Sequence, residues 1–296
     1  MKFKTLGCRL NTFETETIKS ITEKLDFKNL TFVNTCSVTK EAARNSRKYV
    51  RQLKKSSPHN TVIVSGCDAH IEKEAYMKMP EVDVVIGNNA KLDESIWGEI
   101  KKSGRSGFFG ESASELKQDK TKILPNFTKR SRAYLEIQNG CDHSCTFCII
   151  PSCRGKSISE SVKSINNEIS FYLDKGVKEI ILTGVDLTSW QSDYKKHFGL
   201  GYLLEKIFEK NISSFRLRLS SIDAAELDNK VFKLIKSEPR LMPHFHFSLQ
   251  SLDDMILKRM KRRHNPEDVN NFIERCRKVR KEITFGADII AGFPTE

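Results

Sequence analysis

Three cysteines lie at CxxxCxxC spacing near the middle of the chain, at Cys141, Cys145 and Cys148. This spacing can place three thiolates on one loop around one metal centre. An iron–sulfur cube binds four ligands, so three protein thiolates leave one iron open to a substrate or cofactor. Structural zinc is the competing interpretation, but zinc prefers paired CxxC knuckles and four protein ligands. His143 shares the tight loop and is expected to point away from the cysteines, so the pattern indicates an iron–sulfur site for chemistry.

A second set of cysteines, Cys8, Cys36 and Cys67, is widely spaced, but each follows a predicted strand. The strands concerned are predicted at Phe3–Gly7, Leu30–Asn34 and Thr61–Ser65. Because ligands of parallel α/β sheets bind at the carboxyl ends of the strands, we expect the three thiols to converge at that edge on a metal or cluster. The alternative is three buried structural cysteines. Cys153 and Cys276 have no partner at ligand spacing and are predicted to be structural.

The elements that position these cysteines fall into two series. Residues 1–103 alternate short apolar strands with helical segments, the third of them predicted at Ile71–Met79, which predicts an N-terminal parallel α/β sandwich. Residues 104–132 are polar without a sustained period, which predicts a linker. Residues 133–296 contain five strand–helix repeats, which predict an incomplete TIM-type βα barrel. Its strands are predicted at Ala133–Gln138, Glu179–Thr183, Phe215–Ser220, His244–Leu249 and Phe285–Ile290.

The composition limits the class of protein. The chain has 296 residues, with 50 Lys+Arg against 38 Asp+Glu, and the resulting formal charge of +12 suggests an anionic partner such as nucleic acid. No apolar run reaches the roughly 18 residues of a membrane-spanning helix, and the start lacks a signal peptide. We therefore expect a cytoplasmic protein. In a reducing cytosol, the clustered ones among its eight cysteines are expected to bind metal rather than to form disulfides. The abrupt end after the fifth strand suggests a fragment of a longer protein.

The motifs, in this order, resemble those of the radical S-adenosylmethionine methylthiotransferases over essentially the whole chain. In the first domain the matching segments are Thr5–Cys8 with Asn11, Asn34–Thr39 and Ser65–Cys67. In the second they are Gln138–Pro151, Leu182–Asp186, Ser220–Asp223, Ser248–Ser251 and Gly286–Glu296. Glu14–Glu16 and Gly184–Ser189 favour the branch that modifies threonylcarbamoyladenosine next to the tRNA anticodon. The branches that act on isopentenyladenosine in tRNA or on a ribosomal-protein aspartate remain alternatives.

The resemblance implies two 4Fe-4S clusters. The cluster on Cys141, Cys145 and Cys148 would bind S-adenosylmethionine at its open iron and generate a deoxyadenosyl radical, which takes a hydrogen from carbon two of the target adenine. An auxiliary cluster would carry the sulfur to be transferred, and a second S-adenosylmethionine would supply the methyl group. The ligands implied for this auxiliary cluster are Cys8, Cys36 and Cys67.

The resemblance also implies which residues contact S-adenosylmethionine. Phe147 is expected near its adenine, and Gln250 and Ser251 near its ribose. The residues expected at its amino group are Gly184, Val185 and Asp186. Those expected to flank its adenine are Ile290, Gly292 and Pro294.

The implied partners are a tRNA anticodon stem-loop and a low-potential electron donor, with no membrane, and a monomer is expected. The family continues into more barrel and a small β-barrel RNA-binding domain, and both are expected to be missing from a fragment that ends here. A basic stripe recurs at helical spacing after Cys36 and is predicted to contact RNA phosphates, although a solvated helix face is the alternative. The basic stripe comprises Lys40, Arg44, Arg47, Lys48 and Arg51. A rival function of another class is a non-catalytic iron–sulfur binding module.

Overall fold

A computed structural model describes residues 1–104, 106–110, 124–127, 131–191, 199–223, 225 and 227–296. The chain divides into two compact units. The first unit comprises Met1–Asn126 with Ile149–Lys156, and the second comprises Phe127–Cys148 with Ser157–Glu296. Most of the predicted linker, at residues 111–123 and 128–130, lies outside the described residues.

The first unit is built on a parallel five-stranded sheet in the order β1-β2-β3-β4-β5. The strands are β1 Lys2–Thr5, β2 Leu30–Thr35, β3 Thr61–Gly66, β4 Val84–Ile86 and β5 Gly107–Phe109. Every residue of β2 is buried, as expected for a strand covered on both faces. The helices are α1 Arg9–Lys24, α2 Lys40–Ser56, α3 Cys67–Ile71, α4 Lys73–Met77, α5 Glu94–Ser103 and α6 Ile150–Arg154.

Two apolar cores flank this sheet. In one core, Ile18 of α1 and Trp97 of α5 pack with Phe32 of β2. In the other, Val50 of α2 and Tyr76 of α4 pack with strand residues that include Val64. Because alternate residues of a strand face opposite sides, β2 and β3 contribute to both cores.

Two predictions for the first unit are wrong in detail. Gly107–Phe109 was predicted as linker but forms β5, paired in parallel with β4. A three-residue strand is too short to show a period in sequence, so its two phenylalanines gave no recognisable signal. The single helix predicted at Ile71–Met79 is two short helices, α3 and α4, and α3 begins at Cys67 itself.

The second unit contains the five predicted parallel strands, which confirms the α/β class. β6, β9 and β10 form one three-stranded sheet and β11, β12 and β13 another, with β10 and β11 separated only by Ser220. A short antiparallel pair joins β7 to β8. The strands are β6 Arg132–Glu136, β7 Gln138–Asn139, β8 Ile158–Ser159, β9 Glu179–Thr183, β10 Arg216–Leu219, β11 Ser221–Ile222, β12 His244–Gln250 and β13 Thr284–Ile289.

The helices of the second unit follow these strands as in a βα barrel. They are α7 Val162–Asp174, α8 Leu200–Lys210, α9 Asn229–Ser237, α10 Asp254–Arg259 and α11 Pro266–Val279. Phe272 of α11 packs edge-on against Phe245 and Phe247 of β12, so aromatic contacts join this helix to the sheet. Among the described residues, no helix combines the length and apolarity needed to cross a bilayer.

Candidate functional site

The three dispersed cysteines of the first unit follow adjacent strands of its sheet. Cys8 caps the start of α1 after β1, Cys36 follows β2, and Cys67 begins α3 directly after β3. All three therefore lie at the carboxyl edge of the sheet, where the sequence placed them. Cys36 and Cys67 are buried whereas Cys8 is exposed, so the edge is open on one side.

Two glycines make room at this edge. Gly7 has a φ of +90°, and a Cβ there would lie 2.7 Å from the Cys36 Sγ. Gly66 has a φ of +101°, and a Cβ there would lie 2.3 Å from the Thr35 carbonyl oxygen. A side chain at either position would be strained by the left-handed backbone and would clash. The glycine preceding Cys8 therefore sets how closely the Cys36 side chain approaches the first strand.

A buried network of charges lies beside these cysteines. The Glu14 carboxylate accepts hydrogen bonds from Arg154 Nη1 at 2.8 Å and from Lys91 Nζ at 2.6 Å. Arg154 Nη2 also donates to Asn11 Oδ1 at 2.8 Å, and that oxygen lies 3.9 Å from the Cys8 Sγ. All three charged side chains are at most 2% exposed. The network therefore ties α1, α6 and the cysteine edge together.

This network is electrostatically suited to an anionic group. Burial alone would raise the pKa of Glu14, but the charges of Arg154 and Lys91 outweigh it and lower that pKa to about 2. Two cations thus share one carboxylate, and a further buried negative charge would balance them. Thiolates on an iron–sulfur cluster supply such a charge, so the residues fit the implied group.

The three cysteines of the CxxxCxxC loop in the second unit are half-buried. Residues later in the same unit contact this loop. Cys148 N donates to the Cys145 carbonyl at 3.0 Å, and Thr146 Oγ1 donates to the Arg259 carbonyl at 3.0 Å. Arg262 Nη1 lies 3.6 Å from the Cys145 Sγ. Burial raises the pKa of the Cys141 thiol to about 11 in the metal-free protein. A guanidinium beside the loop offers the counter-charge that cluster thiolates need.

Asp223 organises the cations next to this loop, a role that the sequence analysis missed. Its Oδ2 accepts from Arg262 Nη2 at 2.9 Å and from Arg263 Nη2 at 3.3 Å, and its Oδ1 lies 3.3 Å from His264 Nδ1. Burial would raise the pKa of Asp223, but the hydrogen bond with His264 and the charge of Arg262 lower it to about 2. The only sequence signal was the position of Asp223 at the end of the Ser220–Asp223 motif.

Gln138 was also missed as a site residue, although it lies in a quoted motif. Its Oε1 accepts from the backbone N–H groups of Val185 and Asp186 at 3.0 and 2.8 Å. Its Nε2 donates to the Gly140 carbonyl at 2.7 Å and to Ser157 Oγ at 2.9 Å. One amide therefore joins the turn after β9 to the residue that precedes the first loop cysteine.

Replacing Gln138 with alanine is expected to weaken binding of the S-adenosylmethionine that the resemblance implies by about tenfold, because two backbone donors of the turn lose their acceptor. Isothermal titration of the reconstituted protein measures this affinity. Gln191→Ala, an exposed amide in the same unit, is the control and should bind normally. Unchanged binding by Gln138→Ala would show that the turn holds its shape without this amide.

The expectation that His143 points away from the cysteines is wrong. Ligand atoms of Cys141, His143 and Asp186 lie within 4.8 Å of one another. His143 Nε2 is 2.8 Å from Asp186 Oδ2 and also contacts Arg263. The attraction of the Asp186 carboxylate, which follows β9, turns the imidazole toward the loop cysteine, and no sequence spacing reveals this contact.

The other predicted cofactor positions lie where their strands end. Phe147 is 38% exposed on the cysteine loop, and Gly184 and Val185 follow β9. Asp186 accepts hydrogen bonds from Thr188 and Ser189. Its carboxylate has enough lone pairs to accept a hydrogen bond from a further donor as well.

Positions further along the chain lie at the ends of β12 and β13. Gln250 closes β12 with a φ of +71°, which is rare for a residue with a side chain, and its carbonyl accepts from Ile290 N at 2.9 Å. Ser251 follows it and is buried. Gly292 and Pro294 lie exposed after β13.

Most of the basic stripe is exposed on α2. Lys40, Arg44, Lys48 and Arg51 recur at three- and four-residue steps and are exposed. Arg47 differs, because it lies 3.7 Å from Asp68 and stacks over the Tyr76 ring. Because Arg47 is only partly exposed and is held by these contacts, it is less available to a phosphate backbone than the exposed members of the stripe.

Known protein families match segments of both units. A family described as the radical SAM superfamily matches residues 135–296, and the uncharacterized protein family UPF0004 matches residues 1–87. A threonylcarbamoyladenosine tRNA methylthiotransferase MtaB of Rickettsia prowazekii is 44% identical over 99% of this chain and 68% of its own length. A tRNA-2-methylthio-N(6)-dimethylallyladenosine synthase of Agrobacterium fabrum is 32% identical over 99% of this chain and 69% of its own.

Among solved structures, the fold is similar to a radical S-adenosylmethionine methyltransferase, TsrM, from Kitasatospora setae. The TM-score is 0.64 at 13% sequence identity, and the match covers 97% of this chain and 61% of that one. At this identity the similarity establishes the fold alone.

Proposed function

Because the chain belongs to the radical S-adenosylmethionine methylthiotransferase family, we propose that it methylthiolates threonylcarbamoyladenosine in tRNA. The observation that carries this proposal is the pair of three-cysteine sites, one at the carboxyl edge of each unit's parallel strands. The similarity to a relative named for threonylcarbamoyladenosine, at 44% identity, favours that substrate over the dimethylallyl one, whose named relative is 32% identical. The proposed partners are a tRNA anticodon stem-loop and a low-potential electron donor, in the cytoplasm, with the chain acting as a monomer.

The superfamily uses a 4Fe-4S cluster and S-adenosylmethionine, and the second cluster is our proposal. The ligands proposed for the first are Cys141, Cys145 and Cys148, with Arg262 as a counter-charge. The auxiliary cluster is proposed on Cys8, Cys36 and Cys67, with Lys91 and Arg154 as counter-charges. When bound, the clusters and S-adenosylmethionine supply electron transfer, radical chemistry and the sulfur, none of which side chains can provide for an aromatic C–H bond.

The chain's own residues position these groups. Gln138 fixes the turn whose Gly184 leaves room beside the cysteine loop, since a Cβ there would lie 2.9 Å from the Gln138 carbonyl oxygen. Asp186, held by Thr188 and Ser189, offers a carboxylate to the amino group of S-adenosylmethionine. The contacts proposed for its adenine and ribose are Phe147, Gln250, Ser251, Ile290, Gly292 and Pro294. Positioning of this kind is the protein's share of radical catalysis.

Separate replacement of the two cysteine sets tests the proposal. The Cys145→Ala variant should form no deoxyadenosine, because the radical site is lost. The Cys36→Ala variant should still form deoxyadenosine on reduction but should add no methylthio group to tRNA. Mass spectrometry of tRNA nucleosides identifies the product, and Cys276→Ala serves as the control. Methylthiolation of tRNA by Cys36→Ala would contradict the proposed auxiliary site. Loss of deoxyadenosine formation in both variants would contradict the proposal that the two cysteine sets have separate roles.

The nucleoside analysis also decides between substrates. A methylthio mass shift on threonylcarbamoyladenosine supports the proposal, whereas a shift on isopentenyladenosine assigns the chain to the other tRNA branch. Two assembled clusters without cofactor cleavage would instead identify a non-catalytic iron–sulfur module.

Reversing charge on the basic stripe is expected to weaken tRNA binding. Replacing Arg44, Lys48 and Arg51 with glutamate removes up to three phosphate contacts, which should reduce the salt dependence of the affinity by about one unit of slope per contact. Filter binding across a range of salt concentrations measures both quantities.

The matched control makes the same charge change elsewhere on the first unit. Lys24, Lys28 and Lys102 are exposed outside the stripe, and their replacement with glutamate should weaken binding much less. Equal weakening by both triple variants would mean that only net charge matters and that α2 is a solvated face.

A further inference from the structure

Strand β12 carries two histidines that the proposed site does not use. His244 and His246 alternate with Phe245 and Phe247, so the two histidines share one face of the strand. Both phenylalanines pack on Phe272 of α11, which covers the opposite face. The histidine face therefore points away from this helix, toward the interior side of the sheet. His246 is accessible there, with 29% of its side chain exposed.

Two residues of the neighbouring strand β13 fix the imidazole of His246. Its Nε2 lies 3.2 Å from Asp288 Oδ2. Gly286 is the register partner of His246, and a Cβ at Gly286 would lie 2.9 Å from His246 Nδ1. The ring therefore occupies space that any other residue at position 286 would take. Because a carboxylate can only accept a hydrogen bond, its contact places the ring proton on Nε2 and leaves Nδ1 as an acceptor.

The same strand connects His246 to the CxxxCxxC loop. Ser248, two residues further along β12, accepts a hydrogen bond through its carbonyl from Arg262 Nη2. Arg262 Nη1 lies 3.6 Å from the Cys145 Sγ. Two residues of a strand span about 7 Å, so His246 faces the interior one such step below the residue that Arg262 contacts. The positions proposed for S-adenosylmethionine on this strand begin at Gln250, where β12 ends, so His246 is left for a second ligand.

We propose that His246 is a substrate-binding residue whose Nδ1 accepts a hydrogen bond from the N–H at carbon six of the target adenine. The inference rests on the proposed function, because it requires an adenine substrate. Asp288 and Gly286 are positioning residues, since they act only through the orientation of His246. The ligand class is an adenine with a single substituent on its exocyclic nitrogen, because only such a base or an unmodified one keeps this N–H.

This hydrogen bond would select the carbon that reacts. An adenine has C–H groups at carbon two and at carbon eight, so the base must be held in one orientation if only carbon two is to react. Carbon two lies away from the exocyclic N–H, so a base anchored at His246 can present carbon two toward the cysteine loop. Enzymes that act on a base commonly take it out of the stack and recognise it through hydrogen bonds of this kind.

The test measures methylthio product formed per deoxyadenosine released, on an anticodon stem-loop that contains threonylcarbamoyladenosine. His246→Ala should lower this ratio about tenfold, the effect of one lost hydrogen bond, while deoxyadenosine is still released. Gly286→Ala should have a similar effect because its methyl group displaces the ring. His246→Gln, which keeps an acceptor, should restore part of the ratio. His244→Ala, on the same face two residues nearer the start of β12, is the control and should keep the wild-type ratio.

A second measurement changes the substrate, so it holds even where His246→Ala does not fold. A methyl group replaces the hydrogen on the exocyclic nitrogen of the stem-loop adenine. With the wild-type protein this substrate should lower the ratio about as much as His246→Ala does, because the same hydrogen bond is lost. With His246→Ala the methyl group should cause little further loss, as expected for two changes that remove one interaction.

The outcomes separate this inference from the proposed function. A wild-type ratio in His246→Ala, or full coupling of the wild-type protein on the methylated stem-loop, would overturn the inference while methylthiolation stands. Independent losses from the methyl group and from His246→Ala would also overturn it. Absence of methylthio product from the wild-type protein on the unmethylated stem-loop would overturn the proposed function instead.

Discussion

Replacing Glu14 with glutamine is expected to destabilise the first unit by about 3–5 kcal/mol, the usual consequence of removing one partner from a buried ion pair. The substitution keeps the shape of the side chain but leaves Arg154 and Lys91 buried without their counter-charge. Chemical denaturation of the metal-free protein, followed by circular dichroism, measures the loss. Because the buried arginine comes from α6, the loss should be accompanied by release of that helix.

Controls for this prediction lie on the same helix and in the same network. Glu16→Gln breaks the more accessible pair with Lys19 and should cost less than about 1 kcal/mol. Adding Lys91→Met to Glu14→Gln removes one orphaned charge and should recover part of the stability, as expected for coupled neighbours. Equal losses for Glu14→Gln and Glu16→Gln would mean that the buried charges are not energetically linked.

Acid should destabilise both units through two carboxylates with depressed pKa values. The pKa of Glu14 falls from 4.5 to about 2 and that of Asp223 from 3.8 to about 2. A lowered folded-state pKa gives stability that is present above the ordinary pKa and is lost as the pH falls toward the folded value. At about 1.4 kcal/mol for each pKa unit, the losses are about 3 kcal/mol for the first unit and about 2 kcal/mol for the second.

Scanning calorimetry between about pH 5 and about pH 2.5 measures these losses. Most of the loss is expected between about pH 4.5 and about pH 2.5, where both groups take up protons more readily in the unfolded chain. Glu14→Gln should flatten the pH dependence of the first unit and leave that of the second unchanged. If the stability of the first unit falls as steeply with pH in Glu14→Gln as in the wild type, its acid sensitivity comes from other groups.

The parts of the site that follow from local sequence were predictable. Strand periodicity and the position of each cysteine directly after a strand placed Cys8, Cys36 and Cys67 at one sheet edge, because parallel strands share their carboxyl ends. These inferences need only the sheet direction and a short stretch of neighbouring residues.

Contacts between distant segments were not predictable. Glu14 and Arg154 are 140 residues apart, and no spacing rule joins them. Cys153 appeared isolated in the sequence, yet its Sγ lies 3.8 Å from the hydroxyl of Ser37, which is 116 residues away along the chain. Arg262 lies in the segment Lys258–Arg263, which is rich in basic residues, yet its side chain is only 9% exposed and bonds to Asp223. Tertiary packing, which the sequence does not display, decides the role of each of these residues.

Because of the segment Ile149–Lys156, the first unit is formed by two separate stretches of the chain. It follows the last loop cysteine of the second unit but belongs to the first, so the polypeptide crosses between the units again at this point. A fragment cut after Asn126 would lack Arg154 and the α6 helix that covers α3. The first unit therefore cannot be transferred to another protein as one continuous segment. A transplanted first unit would need the eight-residue segment 149–156 supplied in trans or fused to it.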